Sequence, residues 1–216
     1  MHHHPDTSTQ RSDVDATGAA RRRQIGLLVF DGVEELDAVG PWEVLSNWTR
    51  EHPEDGWDAF CMSVHGGPVV GAKSLMLGAH HSTRTAPPFD VLIHPGGPGT
   101  SPMLNDAEHL DWVRETRRRV PLMASVCTGS LVYAAAGLLI NRRATTHWAS
   151  LNQLAELDPT VITDVRSRFV DDGDLITSAG VSAGIDMALH LVARLAGTDR
   201  AQEVKRDIQY EPMPPV

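Results

Sequence analysis

The chain is short of several things at once. It has 2 cysteines in 216 residues, 2 lysines beside 17 arginines, and only 5% aromatic residues. Two cysteines exclude both a disulfide framework and a tetracysteine zinc site. No apolar run approaches the roughly 20 residues that a membrane-crossing helix needs. Positive charge is also scarce: 19 Lys+Arg against 28 Asp+Glu leave a formal net charge of −9. A surface that coats nucleic acid needs clustered Lys and Arg, so no nucleic-acid or membrane partner is expected. The preference for Arg over Lys carries no mechanism. The composition leaves a soluble chain of one domain, long enough for a substantial core and expected in the cytoplasm.

Residues 1–24 are polar, lack aromatics and show no hydrophobic period, so they are expected to form a disordered tail. Within it His2, His3 and His4 read equally as a tag remnant or as native sequence, and they are set aside as metal ligands. Arg21, Arg22 and Arg23 precede an apolar stretch too short for a secretory signal. The body, 25–216, carries a net charge of −10, because the tail holds four Arg and three Asp.

What the body does have is alternation. IGLLVF (25–30), DAFCMSV (58–64), VLIHPGG (91–97) and LMASV (122–126) are short apolar runs, each the size of a strand buried on both faces. Longer amphipathic runs separate them: one opening at Pro41 with Trp42, Val44, Leu45 and Trp48 at helical spacing, one over 106–119, one over 128–136. Residues 69–82 read as a small hairpin or irregular excursion. A helix near 148–156, a two-strand element across an Asp-Asp-Gly turn, and a helix over 182–196 follow. This order predicts a three-layer, flavodoxin-like α/β fold: a mostly parallel sheet with helices on both faces. In such sheets ligands bind beyond the carboxyl ends of the strands.

Four candidates stand there. Cys127 lies where LMASV meets a helical run, with Ser125, Gly129 and Ser130 as small neighbours, the pattern of a nucleophile elbow. A helix N-terminus behind it would favour the thiolate. The competing reading is a small buried hydrophobe, which is the better reading for Cys61 inside its strand. Gly96 and Gly97 in His94-Pro-Gly-Gly-Pro-Gly99 could turn amides toward a developing negative charge, or form an ordinary turn. Asp37, after the first strand, could be an acid or base for the thiol, or a helix cap before Pro41. Glu34 and Glu35 read as solvated. His147 and Trp148 in Thr-Thr-His-Trp could polarise and wall a pocket, although a lone His more often lies at a surface. The other histidines show no metal-ligand spacing.

Together these residues resemble the ThiJ/PfpI superfamily, which has the class I glutamine amidotransferase-like fold. The matching stretches are IGLLVFDGVEELDAVGPWEVL, VLIHPGGPGT, SVCTGSLVYAAAGLL, RRATTHWA, DGDLITSAGVSAGIDMALHL and IQYEPMPP, which together span most of the body. Asp37 in LDAVGP, Thr rather than His at 128, and the EPMPP ending resemble those members that hydrate isonitriles to N-substituted formamides. The resemblance implies Cys127 as nucleophile, Asp37 as acid/base, and Thr128 as hydroxyl and backbone donor. It also implies an oxyanion-type N–H from Gly97, His147 at the pocket edge, a homodimer, a small-molecule substrate, and no cofactor or metal. Because protease-like members carry His after the Cys, Thr128 argues against peptidase activity. Two alternatives stay open. One is a stress or redox protein that processes reactive aldehydes. The other is the ligand-sensing half of an AraC-type regulator, which would need a basic helix-turn-helix segment that these residues do not contain.

Overall fold

The computed structural model describes residues 21–211. The expected tail up to residue 20, its three histidines and the EPMPP ending beyond Glu211 lie outside the described residues. In chain order the elements begin with β1 (Arg23–Leu28), α1 (Glu35–Glu51), β2 (Trp57–Ser63), β3 (Val69–Val70), β4 (Met76–Leu77), β5 (His81–Ser82) and β6 (Val91–His94). Next come α2 (Thr100–Met103), α3 (Ala107–Arg119), β7 (Leu122–Val126), α4 (Gly129–Ala135) and β8 (Arg143–Ala144). The last are α5 (Leu151–Leu157), β9 (Ile162–Thr163), β10 (Phe169–Asp171), β11 (Leu175–Ser178), α6 (Ala183–Ala196) and α7 (Thr198–Asp207).

Seven strands form one sheet in the order β10-β11-β7-β6-β1-β2-β5. Within it the β10–β11 pair is antiparallel and the others are parallel. β6 and β7 are buried along their whole length, which is why they read as uninterrupted apolar runs. Helices α1, α6 and α7 pack together in one layer, and α2, α3 and α5 gather around α4 in the other. The fold is the expected three-layer α/β architecture. From β1 the chain first adds β2 on one side, then returns to add β6 on the other. That reversal opens a crevice at the carboxyl ends of β1 and β6.

Three local expectations need correction. β1 starts at Arg23, inside the stretch expected to be tail. There Arg22 Nε donates to Asp58 at 2.8 Å, and the Arg23 guanidinium lies 4.2 Å from the centre of the Trp57 ring. α1 opens at Glu35, not at Pro41. Glu35 and Asp37 occupy its first turn, where negative charge suits the positive end of the helix. Pro41 is therefore interior, and its missing N–H leaves the Asp37 carbonyl without an i+4 donor. Gly184 on α6 leaves room for the proline ring, since a Cβ there would meet Pro41 Cγ at 3.3 Å. Finally, the chain does not end its regular structure at α6: α7 follows, with Ala201, Val204 and Ile208 at helical spacing and Val204 fully buried.

Candidate active site

Cys127 is the single residue that turns the chain from β7 into the short run leading to α4. Its φ of 57° is in the left-handed region, where side chains other than glycine are rare. Backbone bonds on both sides hold it there. Its N–H donates to the carbonyls of Ser178 and Ala179 at 3.1 and 3.2 Å. Its own carbonyl accepts from Thr146 Oγ1 at 2.9 Å and from Ser130 Oγ at 3.1 Å. The strained turn pushes the thiol toward the carboxyl ends of the neighbouring strands, as the elbow reading expects.

Asp37, on the first turn of α1, is 0% exposed. Its Oδ2 accepts from the Gly96 N–H and its Oδ1 from the Val181 N–H, each at 3.1 Å. Asp37 and the Cys127 thiol are close enough for each to influence the other's ionisation. Burial pushes the Asp37 carboxyl up to about 7; Glu34 adds to the rise, and the Cys127 thiol and the amides of Gly96 and Val181 oppose it. Burial likewise pushes the Cys127 thiol up to about 12, with the Asp37 charge adding to the effect. The amides of Thr128 and Val181 face the sulfur and act in the opposite sense. This overturns the expectation of a thiolate favoured by the helix. α4 has only seven residues, and burial beside a carboxylate outweighs its dipole. At neutral pH the sulfur keeps its proton while Asp37 is near its own midpoint.

The glycine loop after β6 is built for close approach. A Cβ on Gly96 would sit 2.4 Å from Thr128 N and 2.9 Å from Cys127 Cβ. Gly96, expected at the substrate, is not part of the cavity lining, and its N–H is donated to Asp37 instead. Gly97 does line the cavity, but its amide is already engaged, donating to Thr128 Oγ1 at 2.9 Å. The Gly97 amide is therefore not the free donor expected of it, and the Val181 amide is likewise engaged, donating to Asp37 Oδ1. Val181 was missed in the sequence. It is β-branched and has a φ of 52°, an unusual conformation that aims its N–H between Asp37 and the sulfur.

A cavity of about 290 Å³ opens over Cys127 and is also lined by Thr128, Gly97, His147 and Val181. Leu104, Leu131 and Pro98 supply apolar wall, and Glu34, Ser101, Ser150 and Gln153 supply polar rim. His147 is at this edge, its Nδ1 accepting from the Ala149 N–H at 3.3 Å. Gly180 presses against it, so that a Cβ there would come within 2.2 Å of the imidazole. Trp148 is a correction: it is 78% exposed and is not part of the lining. Glu34 and Glu35 are a second correction. Glu34 pairs with Lys73 Nζ, and Glu35 Oε1 accepts from the Lys73 N–H at 2.5 Å, tying the β3–β4 turn to the mouth of the site. Among the described residues no group of three or more His, Cys, Asp or Glu is placed to hold a metal ion.

Comparison with known proteins identifies the family. The DJ-1/PfpI family matches residues 23–194. The isonitrile hydratase of Pseudomonas putida is 40% identical over 192 residues, covering 89% of this chain and 80% of the relative. The HTH-type transcriptional regulator CdhR of Pseudomonas aeruginosa is 32% identical over 181 residues, covering 82% of this chain and 52% of the regulator. Among solved structures, a ThiJ/PfpI family protein from Pseudomonas syringae superposes with a TM-score of 0.81 at 33% identity, over 90% of this chain and 77% of that one. A strand-end cysteine, a Pro-Gly-Gly loop and a parallel sheet over one matched stretch leave one conclusion: the chain belongs to the DJ-1/PfpI family.

Proposed function

We propose that the chain hydrates isonitriles to N-substituted formamides, with Cys127 as nucleophile and Asp37 as proton carrier. The observation that carries this reading is geometric: Cys127 at its positive-φ turn lines the cavity, and the fully buried Asp37 carboxyl is held in place by the Gly96 and Val181 amides. Burial raises both groups, so that a proton is available to be passed between them. An isonitrile R–N≡C resists neutral water, yet its terminal carbon accepts both a nucleophile and a proton. Asp37 takes the proton from sulfur as the C–S bond forms and delivers it to the same carbon. The product is a thioimidate, R–N=CH–S–Cys127. A high thiol pKa is no handicap here, because the thiol proton is itself consumed.

Water then adds to the thioimidate carbon, with Asp37 accepting its proton and passing it to nitrogen. Collapse expels sulfur, which recovers its proton, and R–NH–CHO leaves. The Thr128 and Val181 amides face the sulfur and stabilise charge on it as bonds form and break. Substrate, water and these side chains balance both steps. The apolar wall of Leu104, Leu131 and Pro98 would hold R, with His147 at the rim. Assembly as a homodimer and a cytoplasmic location belong to the same proposal. The 40% identity to the isonitrile hydratase of Pseudomonas putida supports it.

The test is incubation with an alkyl isonitrile while formamide is followed by chromatography. Formation by the native chain and loss in Asp37→Asn is the expected result. No formamide from the native chain overturns the reading. Likeness to CdhR favours one second reading, ligand sensing in the same cavity. Saturable binding of an isonitrile without turnover would support that instead.

A further inference from the structure

His94, the last residue of β6, is 0% exposed and takes no part in the cavity. Its ring is enclosed by Phe30, Tyr133 and His109, with centroids 5.6, 5.9 and 5.3 Å away. Its Nδ1 lies 2.8 Å from the Pro95 carbonyl and its Nε2 lies 3.0 Å from His109 Nε2. A carbonyl can only accept, so the proton of His94 must be on Nδ1. Its Nε2 is then a lone pair, and His109 must donate from Nε2. One carbonyl therefore fixes both tautomers.

The chain of donors continues. The Pro95 carbonyl and the Gly96 N–H are the two ends of one peptide group, and that N–H is the one donated to Asp37 Oδ2 at 3.1 Å. A hydrogen bond accepted at the oxygen of an amide makes its N–H a stronger donor. It also stops the peptide from rotating, a real freedom beside Gly96 and Gly97. Two buried imidazoles are a costly way to fill a strand end that an aliphatic side chain would fill, which points to a task.

We propose that His94 is a positioning residue for Asp37, acting through the Pro95–Gly96 peptide, and that His109 holds His94 in the required tautomer. This rests on Asp37 serving as the base for Cys127. Other groups that face the relay are accounted for. Asp37 meets the Cys127 thiol, the Glu34 charge and the amides of Gly96 and Val181. Beside His94, the Tyr133 hydroxyl donates to the Ala124 carbonyl at 2.8 Å and so is not competing for the ring. Beside His109 stand Trp112 and Asp106, whose carboxylate accepts from the His109 backbone N–H at 3.2 Å. Burial holds both imidazoles below their ordinary range, His94 down to about 3, so both are neutral when the site works.

The test uses the pH dependence of Cys127 alkylation by iodoacetamide, read by mass spectrometry, alongside formamide formation. The native chain should show an inflection near the Asp37 midpoint that Asp37→Asn removes. In His94→Leu that inflection should move up by roughly 0.3–0.5 pH unit, because a weakened donor favours the protonated carboxyl. His94→Asn keeps a donor near the Nδ1 position and should restore the native midpoint. His109→Leu frees the His94 tautomer and should give a smaller upward shift. If His94→Leu fails to fold, by circular dichroism, His109→Leu carries the test. A folded His94→Leu, or in its absence His109→Leu, with an unmoved inflection overturns the inference. So does His94→Asn shifting as far as His94→Leu, or an inflection that survives in Asp37→Asn. Absence of formamide beside an intact, His94-dependent inflection would overturn the hydratase reading and support this one.

Discussion

Cys61 in the middle of β2 and Cys127 at the end of β7 are alike by every simple measure. Both are buried, at 8% and 6% exposure, and burial pushes both thiols up to about 12. They differ in what surrounds them. Cys61 has ordinary strand backbone, and its N–H donates to His80 Nδ1 at 2.9 Å. Cys127 has a φ of 57°, a carboxyl partner and two amides facing its sulfur. Thiol acidity is therefore not what distinguishes Cys127, the proposed nucleophile, from Cys61. Backbone strain, and a neighbour that can carry the thiol proton, are what mark Cys127 out.

The comparison breaks if the two cysteines respond alike to substitution. The largest contrast is in turnover: Cys127→Ala should lower formamide formation at least about 10³-fold, and Cys61→Ala by less than about twofold. A second contrast is stability against pH. Asp37 titrates at about 7 in the folded chain and near 3.8 when unfolded. Between those values the folded chain holds a proton that the unfolded chain has lost, so stability falls as pH rises through that window and levels off above it. Asp37→Asn removes this slope, so its stability relative to the native chain should grow by about 2–3 kcal/mol from pH 5 to pH 8. Urea unfolding at both pH values measures it; a constant difference would mean that Asp37 is not held neutral. Cys61→Ala should leave the slope in place. The smallest contrast concerns strain. Cys127→Gly should be more stable than Cys127→Ala by about 1–2 kcal/mol, because only glycine sits freely at positive φ. At Cys61 the order should reverse, with Gly below Ala by about 0.5–1 kcal/mol. The same order at both sites would remove the role given to the strained turn.

Much of this was readable in the residues themselves. LMASV, 122–126, matches β7 end to end, and the crowd of small residues after it announced the turn at Cys127. Asp37 and the Gly-Gly loop were legible as candidates because each follows an apolar strand. What was not legible depends on distant partners. Gly97 reads as a free amide until Thr128, thirty-one positions on, supplies the oxygen that occupies it. Pro41 reads as a helix start because that is where proline is tolerated; its place inside α1 depends on the room that Gly184 leaves. Glu34 and Glu35 read as solvated until the β3–β4 turn brings Lys73 onto them. Val181 gives no local signal at all, since a β-branched residue is the last that sequence rules would place at positive φ. Trp148 misled in the other direction, as a large aromatic beside a candidate histidine that turns outward.

The arginines at the start of β1 carry a practical consequence for anyone building on this fold. Composition would put a fusion junction or a tag boundary after Gln24. Such a cut would discard the Arg21 pair with Asp90 at 2.6 Å, the Arg22 pair with Asp58, and the Arg23 cover on Trp57. These tether the first central strand to two of its neighbouring segments, so a junction is better placed at or before residue 20.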